Sequence, residues 1–89
     1  MEVIYSPEAL DDLKYWKKSG NKATLKKIQT LISAIQASPF EGIGKPEQLK
    51  HNLSGRWSRR IDREHRIVYR VDLDENTEVI IIVSLKGHY

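Results

Sequence analysis

Residues 56–83, RWSRRIDREHRIVYRVDLDENTEVIIIV, decide the fold. Trp57 and Ile61 alternate with Arg56, Ser58 and Arg60; after a polar turn at Asp62 to Glu64, Ile67, Tyr69 and Val71 alternate with Arg66, Val68 and Arg70. Side chains on a strand point to opposite faces in turn, so a period of two marks a sheet with one buried side. Two such runs around a polar turn read as an antiparallel pair. Residues 72–77 form a second polar turn, and the continuous apolar run 79–83 suits a central strand covered on both faces. These segments predict a three-stranded antiparallel meander.

Upstream the period changes. Val3, Ile4 and Tyr5 form a short strand-prone run that stops at Ser6 and Pro7, a capping residue followed by a good first helical residue. Ala9, Leu10, Leu13 and Trp16 then recur at helical spacing, and Lys17, Lys18 and Gly20 close the segment. A second helix carries Leu25, Ile28, Leu31, Ile32 and Ile35 on one face and ends near Ala37. The expected architecture is α+β: β-α-α followed by the meander, with both helices packed on one sheet face. Residues 38–49, punctuated by Pro39, Gly42, Gly44 and Pro46, read as a loop. Loops of that length in small proteins are usually functional, which draws attention to Lys45, Glu47 and, just beyond, Lys50.

An 89-residue chain accommodates one small core, so a single domain spanning residues 1–89 is expected, with no bulky cofactor. Fifteen Lys and Arg stand against twelve Asp and Glu, and a sequence pI near 9.3 favours polyanionic partners. There is no cysteine, which excludes disulfides and thiolate metal sites and fits the cytoplasm. No apolar run reaches the roughly 20 residues of a spanning helix, and the first residues lack the pattern of a signal peptide. No His, Asp and Glu spacing matches a known metal motif, and phosphate loops, dinucleotide glycine motifs and nucleophile elbows are missing. Metal-independent chemistry is the expectation.

Strand alternation also sorts charge. With the apolar residues facing the helices, Arg56, Arg60, Arg66 and Arg70 project from the opposite face and form a platform suited to phosphates. Arg59 shares the parity of Trp57 and joins that platform only where a bulge or strand edge frees it. A solvated sheet face is the plainer reading of the same residues. Glu47, between Lys45 and Lys50, has the setting of a general base or of a simple surface carboxylate. His88 is penultimate, yet only a few residues separate it from the apolar run 79–83, which anchors it. His51 and His65 read as structural or surface residues.

One resemblance covers essentially the whole chain. Residues 39–61, PFEGIGKPEQLKHNLSGRWSRRI, continued by EHRIVY at 64–69, the ending Lys86-Gly87-His88-Tyr89 and the Tyr15-Trp16 pair closely resemble the YoeB toxins of the RelE/ParE superfamily. Gln48 stands where that family often has a second proline. The resemblance implies a RelE-like, microbial-RNase-like fold and a bacterial toxin that cleaves messenger RNA in the ribosomal A site. It also implies neutralisation by a YefM-type antitoxin, contacts to 16S rRNA, a homodimer, and operator DNA binding only together with antitoxin. Residue by residue it assigns catalytic positions to Glu47, Arg66, His88 and Tyr89. Cleavage of RNA by its own 2′-hydroxyl needs a base, an acid for the leaving 5′-oxygen and a cation for the phosphorane, and these roles fall to Glu47, His88 and Arg66. Tyr89 orients the nucleotide, and Lys45, Lys50, Arg56, Arg59 and Arg60 hold RNA backbone. The antitoxin is expected to fold across the sheet and displace the C-terminal tail.

Three other readings stay open at this level. A ParE-like toxin acting on gyrase needs neither Glu47 nor His88. A noncatalytic RNA-binding or ribosome-binding module arrests translation without cutting messages, and a decayed toxin binds antitoxin without slowing growth.

Overall fold

The structure, a computed structural model, describes residues 1–87. Among these it contains β1 (Glu2–Tyr5), α1 (Pro7–Ser19), α2 (Lys22–Ala37), β2 (Glu47–Gln48), a 3-10 turn (His51–Leu53), β3 (Trp57–Arg60), β4 (Arg66–Asp74) and β5 (Thr77–Ser84). The α+β expectation holds, and the sheet is larger and more mixed than a meander. Its five strands run in the order β1-β5-β4-β3-β2, with β1 parallel to β5 and the remaining neighbours antiparallel.

Local chemistry explains the helices. The Ser6 hydroxyl accepts the Ala9 N–H at 3.0 Å and donates to the Val83 carbonyl at 2.7 Å, so one side chain caps α1 and ties it to β5. Asn21 caps α2 in the same way, accepting from the Thr24 N–H at 3.0 Å. On α2, Thr24, Ile28, Leu31 and Ile35 form the buried stripe. On α1, Ala9 and Trp16 are buried, whereas Leu10, expected to join them, is 47% exposed. At 100° per residue it points away from the face that Ala9, Leu13 and Trp16 share.

Both long strands outrun the turn expected at residues 72–77. Ladder pairing continues to Asp74 and Thr77, and the reversal is made by Glu75 and Asn76 alone, at φ of 50° and 69°. Two consecutive left-handed residues are what a two-residue hairpin needs, because their twist matches that of the strands. Val3, Tyr5, Trp57, Ile67, Tyr69, Val71, Ile80 and Ile82 face the helices and build the core with Ala9, Trp16, Ile28, Leu31, Ile35, Ile61 and Leu85. Along β5, Ile81 and Val83 are half-buried rather than fully covered; on the same sheet face Ser58 and Val68 are buried and Arg60 is exposed, so that face is only partly covered.

Candidate functional site

Glu47, Ser58, Arg60, Arg66, Val68 and Arg70 stand on that face by register, with Ser58 and Val68 buried and the charged side chains half-buried or exposed. Glu47 lies opposite Ser58, Ser58 opposite Val68, and Val68 opposite Ser84, a row crossing four strands. Arg60 and Arg66 pair directly in the next row toward the β3–β4 turn. The two-residue β2 is what brings Glu47 onto the sheet, at its edge beside β3. Neighbouring strands are about 4.8 Å apart, so Glu47 stands roughly 10 Å across the sheet from the strand carrying Arg66. Beside it, Glu47, Lys50 and His51 help line a depression of about 640 Å³ formed by residues 47–53.

Arg66 is half-buried, and its Nη1 donates to the carbonyls of Asp62 at 3.2 Å and His65 at 3.3 Å. Its backbone N–H donates to the Gly87 carbonyl at 3.0 Å. Gly87, the last described residue, therefore lies directly beside Arg66. The roles expected of His88 and Tyr89 lie outside the described residues. Arg70 is on the same face, with Nε donating to Asp72 Oδ2 at 3.0 Å, which partly neutralises that end. Lys45, Lys50 and Arg60 are exposed, and Arg56, which directly precedes β3, is half-buried.

The expectation for Arg59 is overturned. It keeps the helix-facing parity of Trp57, pairs with Ile67 in the ladder and is 0% exposed. Its guanidinium donates to the carbonyls of Ser38 at 2.6 Å, Glu41 at 3.0 Å and Ile43 at 3.2 Å, and its Nε to the Tyr69 hydroxyl at 3.1 Å. The Tyr69 hydroxyl in turn donates to the Pro39 carbonyl at 2.6 Å. A planar five-donor fork is suited to gather several carbonyls of one loop, and here all of it is turned inward. Arg59 organises the loop that presents Lys45 and Glu47, and its buried guanidinium is committed to that loop rather than to the surface. Burial pushes the Tyr69 phenol above its ordinary pKa, with the hydrogen bond and charge of Arg59 opposing that shift.

The same loop seats at Gly44. Its carbonyl accepts the Arg60 N–H at 2.7 Å, its φ is +82°, and an added Cβ would lie 2.8 Å from Leu31 Cδ2 and 3.1 Å from Arg59 Cβ. A side chain there meets both backbone strain and a core leucine. Gly44→Ala is therefore expected to cost about 1–3 kcal/mol, lowering the melting midpoint by at least several degrees. An unchanged melt would show that the loop does not pack on Leu31.

A second depression, of about 430 Å³, brings together Lys27, Lys45, Arg60 and Arg63. Lys27 and Arg63 were not singled out by the sequence, since one sits on the polar face of a helix and the other in a turn. Only the fold makes them neighbours of Lys45 and Arg60. Among the described residues, no group of three His, Cys, Asp or Glu side chains is arranged to hold a metal ion, and no helix is long and apolar enough to cross a membrane.

Residues 5–89 match the family described as YoeB-like toxin of bacterial type II toxin-antitoxin system. Toxin YoeB of Escherichia coli (strain K12) is 49% identical over 89 residues, covering 100% of both chains. The YoeB/ParE toxin from Agrobacterium tumefaciens superposes with a TM-score of 0.92 at 36% identity, again covering 100% of both. Two Staphylococcus aureus structures, a YoeB-YefM complex at 48% identity and a YoeB dimer at 46%, each give a TM-score of 0.84 and cover 100% of this chain and 98% of theirs.

Proposed function

The chain belongs to the YoeB-like toxins of bacterial type II toxin-antitoxin systems, and from that premise we propose that it is an endoribonuclease that cuts messenger RNA in the ribosomal A site without a metal ion. Glu47 takes the proton of a ribose 2′-hydroxyl, and the 2′-oxygen attacks the adjacent phosphorus. Arg66 stabilises the dianionic phosphorane, and His88 protonates the 5′-oxygen as its bond to phosphorus breaks. The products carry a 2′,3′-cyclic phosphate and a 5′-hydroxyl, so no water is consumed and every proton is accounted for. Tyr89 orients the nucleotide.

The observation that carries this reading is the Gly87 carbonyl bonded to the Arg66 N–H. It brings the stem of the C-terminal pair to the strand bearing the cation, on the face where Glu47 stands two strands away. That separation leaves room for a phosphodiester between a carboxylate and a guanidinium, both on long side chains. Lys45, Lys50, Arg56 and Arg60 hold messenger or ribosomal RNA backbone, an affinity that falls with salt and adds little sequence preference. Arg59 is withdrawn from that set.

The protein acts in the bacterial cytoplasm, where a YefM-type antitoxin neutralises it; the toxin forms homodimers, and the pair binds operator DNA only as a complex. The YoeB-YefM complex and the YoeB dimer of Staphylococcus aureus support the antitoxin and the dimer. The test is a purified ribosome programmed with a defined message, incubated with the toxin and mapped by primer extension. A cut at the A-site codon with a 5′-hydroxyl on the downstream fragment is expected. Stalled ribosomes with intact messages would instead mark a noncatalytic binder.

A further inference from the structure

The last described residues are fastened from two sides. Leu85 is fully buried, with its N–H donating to Asp12 Oδ2 at 2.9 Å and its carbonyl accepting from Trp16 Nε1 at 2.9 Å. Two residues later the Gly87 N–H donates to His65 Nδ1 at 2.9 Å, while the Gly87 carbonyl takes the Arg66 N–H. Both polar groups of the Gly87 peptide backbone are thus held by consecutive residues of one strand approach. Gly87 has φ of +80° and open space where a Cβ would stand, so backbone conformation, not crowding, favours glycine there.

His65 is itself well fixed. Its N–H donates to Asp62 Oδ1 at 2.8 Å, and its ring lies edge-on to Trp16 with centroids 4.8 Å apart and planes at 89°. A ring whose Nδ1 accepts must carry its proton on Nε2, and Nε2 faces the Glu64 carboxylate at 3.9 Å. The imidazole thus bridges helix α1 to the tail.

We propose that His65 is a positioning residue: by accepting the Gly87 N–H through Nδ1, it fixes, beside Arg66, the peptide that immediately precedes His88 and Tyr89 in the chain. Its effect on rate rests on the ribonuclease reading; its hold on Gly87 does not. A reacting group displaced by about 1 Å can lose two orders of magnitude in rate, so one hydrogen bond at the root of the tail has leverage beyond its own strength.

Two variants separate the bond from the packing. His65→Phe keeps a ring against Trp16 but has no acceptor, whereas His65→Asn sets an amide oxygen where Nδ1 lies. Amide exchange at Gly87, read by NMR on the free toxin, is expected to quicken about tenfold or more in the Phe variant and to return toward wild type in the Asn variant, because a lost bond exposes the N–H to water. Cleavage on programmed ribosomes should fall about 10- to 100-fold in kcat for Phe, with KM within about twofold, and recover in Asn. A folded Phe variant that cuts at the wild-type rate overturns the proposal, as does an Asn variant as slow as Phe. A wild-type protein that leaves messages uncut overturns the ribonuclease reading, and with it the effect of His65 on rate, while Gly87 exchange still reports on the clamp. Where the Phe variant does not fold, His65→Asn against His65→Gln makes the same comparison, since glutamine carries its amide one carbon farther out.

Discussion

Glu47→Ala is expected to slow message cleavage on programmed ribosomes by about 10²- to 10⁴-fold, the usual contribution of a positioned general base. The side chain is exposed at the sheet edge on a two-residue strand, so its removal leaves the core untouched and the loss falls on chemistry. Arg66→Ala should cost about 10²- to 10³-fold if its cation stabilises the developing charge, and because the bond to Gly87 is made by the backbone, Gly87 should keep its place. His88→Ala belongs to the same set. Residues that act on one transition state are not additive, so the Glu47→Ala, His88→Ala double variant should be little slower than the worse single one. Pelleting with ribosomes should be unchanged in all of them, since the proposed backbone contacts are those of Lys45, Lys50, Arg56 and Arg60, which none of these variants alters. Growth arrest by Glu47→Ala at wild-type strength would sink this assignment and return the gyrase or noncatalytic readings.

The helices and long strands were legible because their signals are local. Ser6 and Asn21 cap the helices, the stripe through Ile28, Leu31 and Ile35 has helical period, and Ile67, Tyr69 and Val71 alternate. What escaped is non-local. The parallel pairing of Glu2 with Val79 joins opposite ends of the chain and leaves no pattern in either strand. The strand Glu47–Gln48 is too short to alternate, and it exists because the loop reaches β3. The sequence spreads the turn over six residues, 72–77, because Glu75 and Asn76 do not announce a tight hairpin as a glycine does. In the site, the resemblance supplied Glu47 and Arg66, and strand parity placed Arg66 correctly on the outward face. Parity also marked Arg59 as inward, a signal that outweighs its charge once a loop of free carbonyls lies within reach. Nothing local distinguishes His65 from a surface histidine, because its partners Trp16 and Gly87 are distant in sequence.

Arg59→Met separates an inward arginine from an RNA-binding one. Methionine keeps most of the aliphatic stem but strips the donor from three loop carbonyls and from the Tyr69 hydroxyl. Each buried polar group left without a partner costs about 1–3 kcal/mol, and the outer part of this loop can regain water, so a net loss of about 3–5 kcal/mol is expected. For a domain of this size, stability totals only roughly 5–13 kcal/mol, and the melting midpoint should drop by about 12 °C or more. Arg59→Lys should recover little, because one ammonium cannot reproduce a fork that serves several carbonyls at once. Arg60→Ala supplies the contrast one residue along, on the opposite face and exposed. It should leave the melt nearly unchanged and reduce the salt dependence of ribosome binding by about one phosphate contact. Arg59→Met should do the reverse, melting early with an unaltered salt slope when assayed cold. A melt within about 2 °C of wild type, coupled to a shallower salt slope, would mean that Arg59 turns outward to RNA in solution and that the loop bearing Glu47 is held by something else.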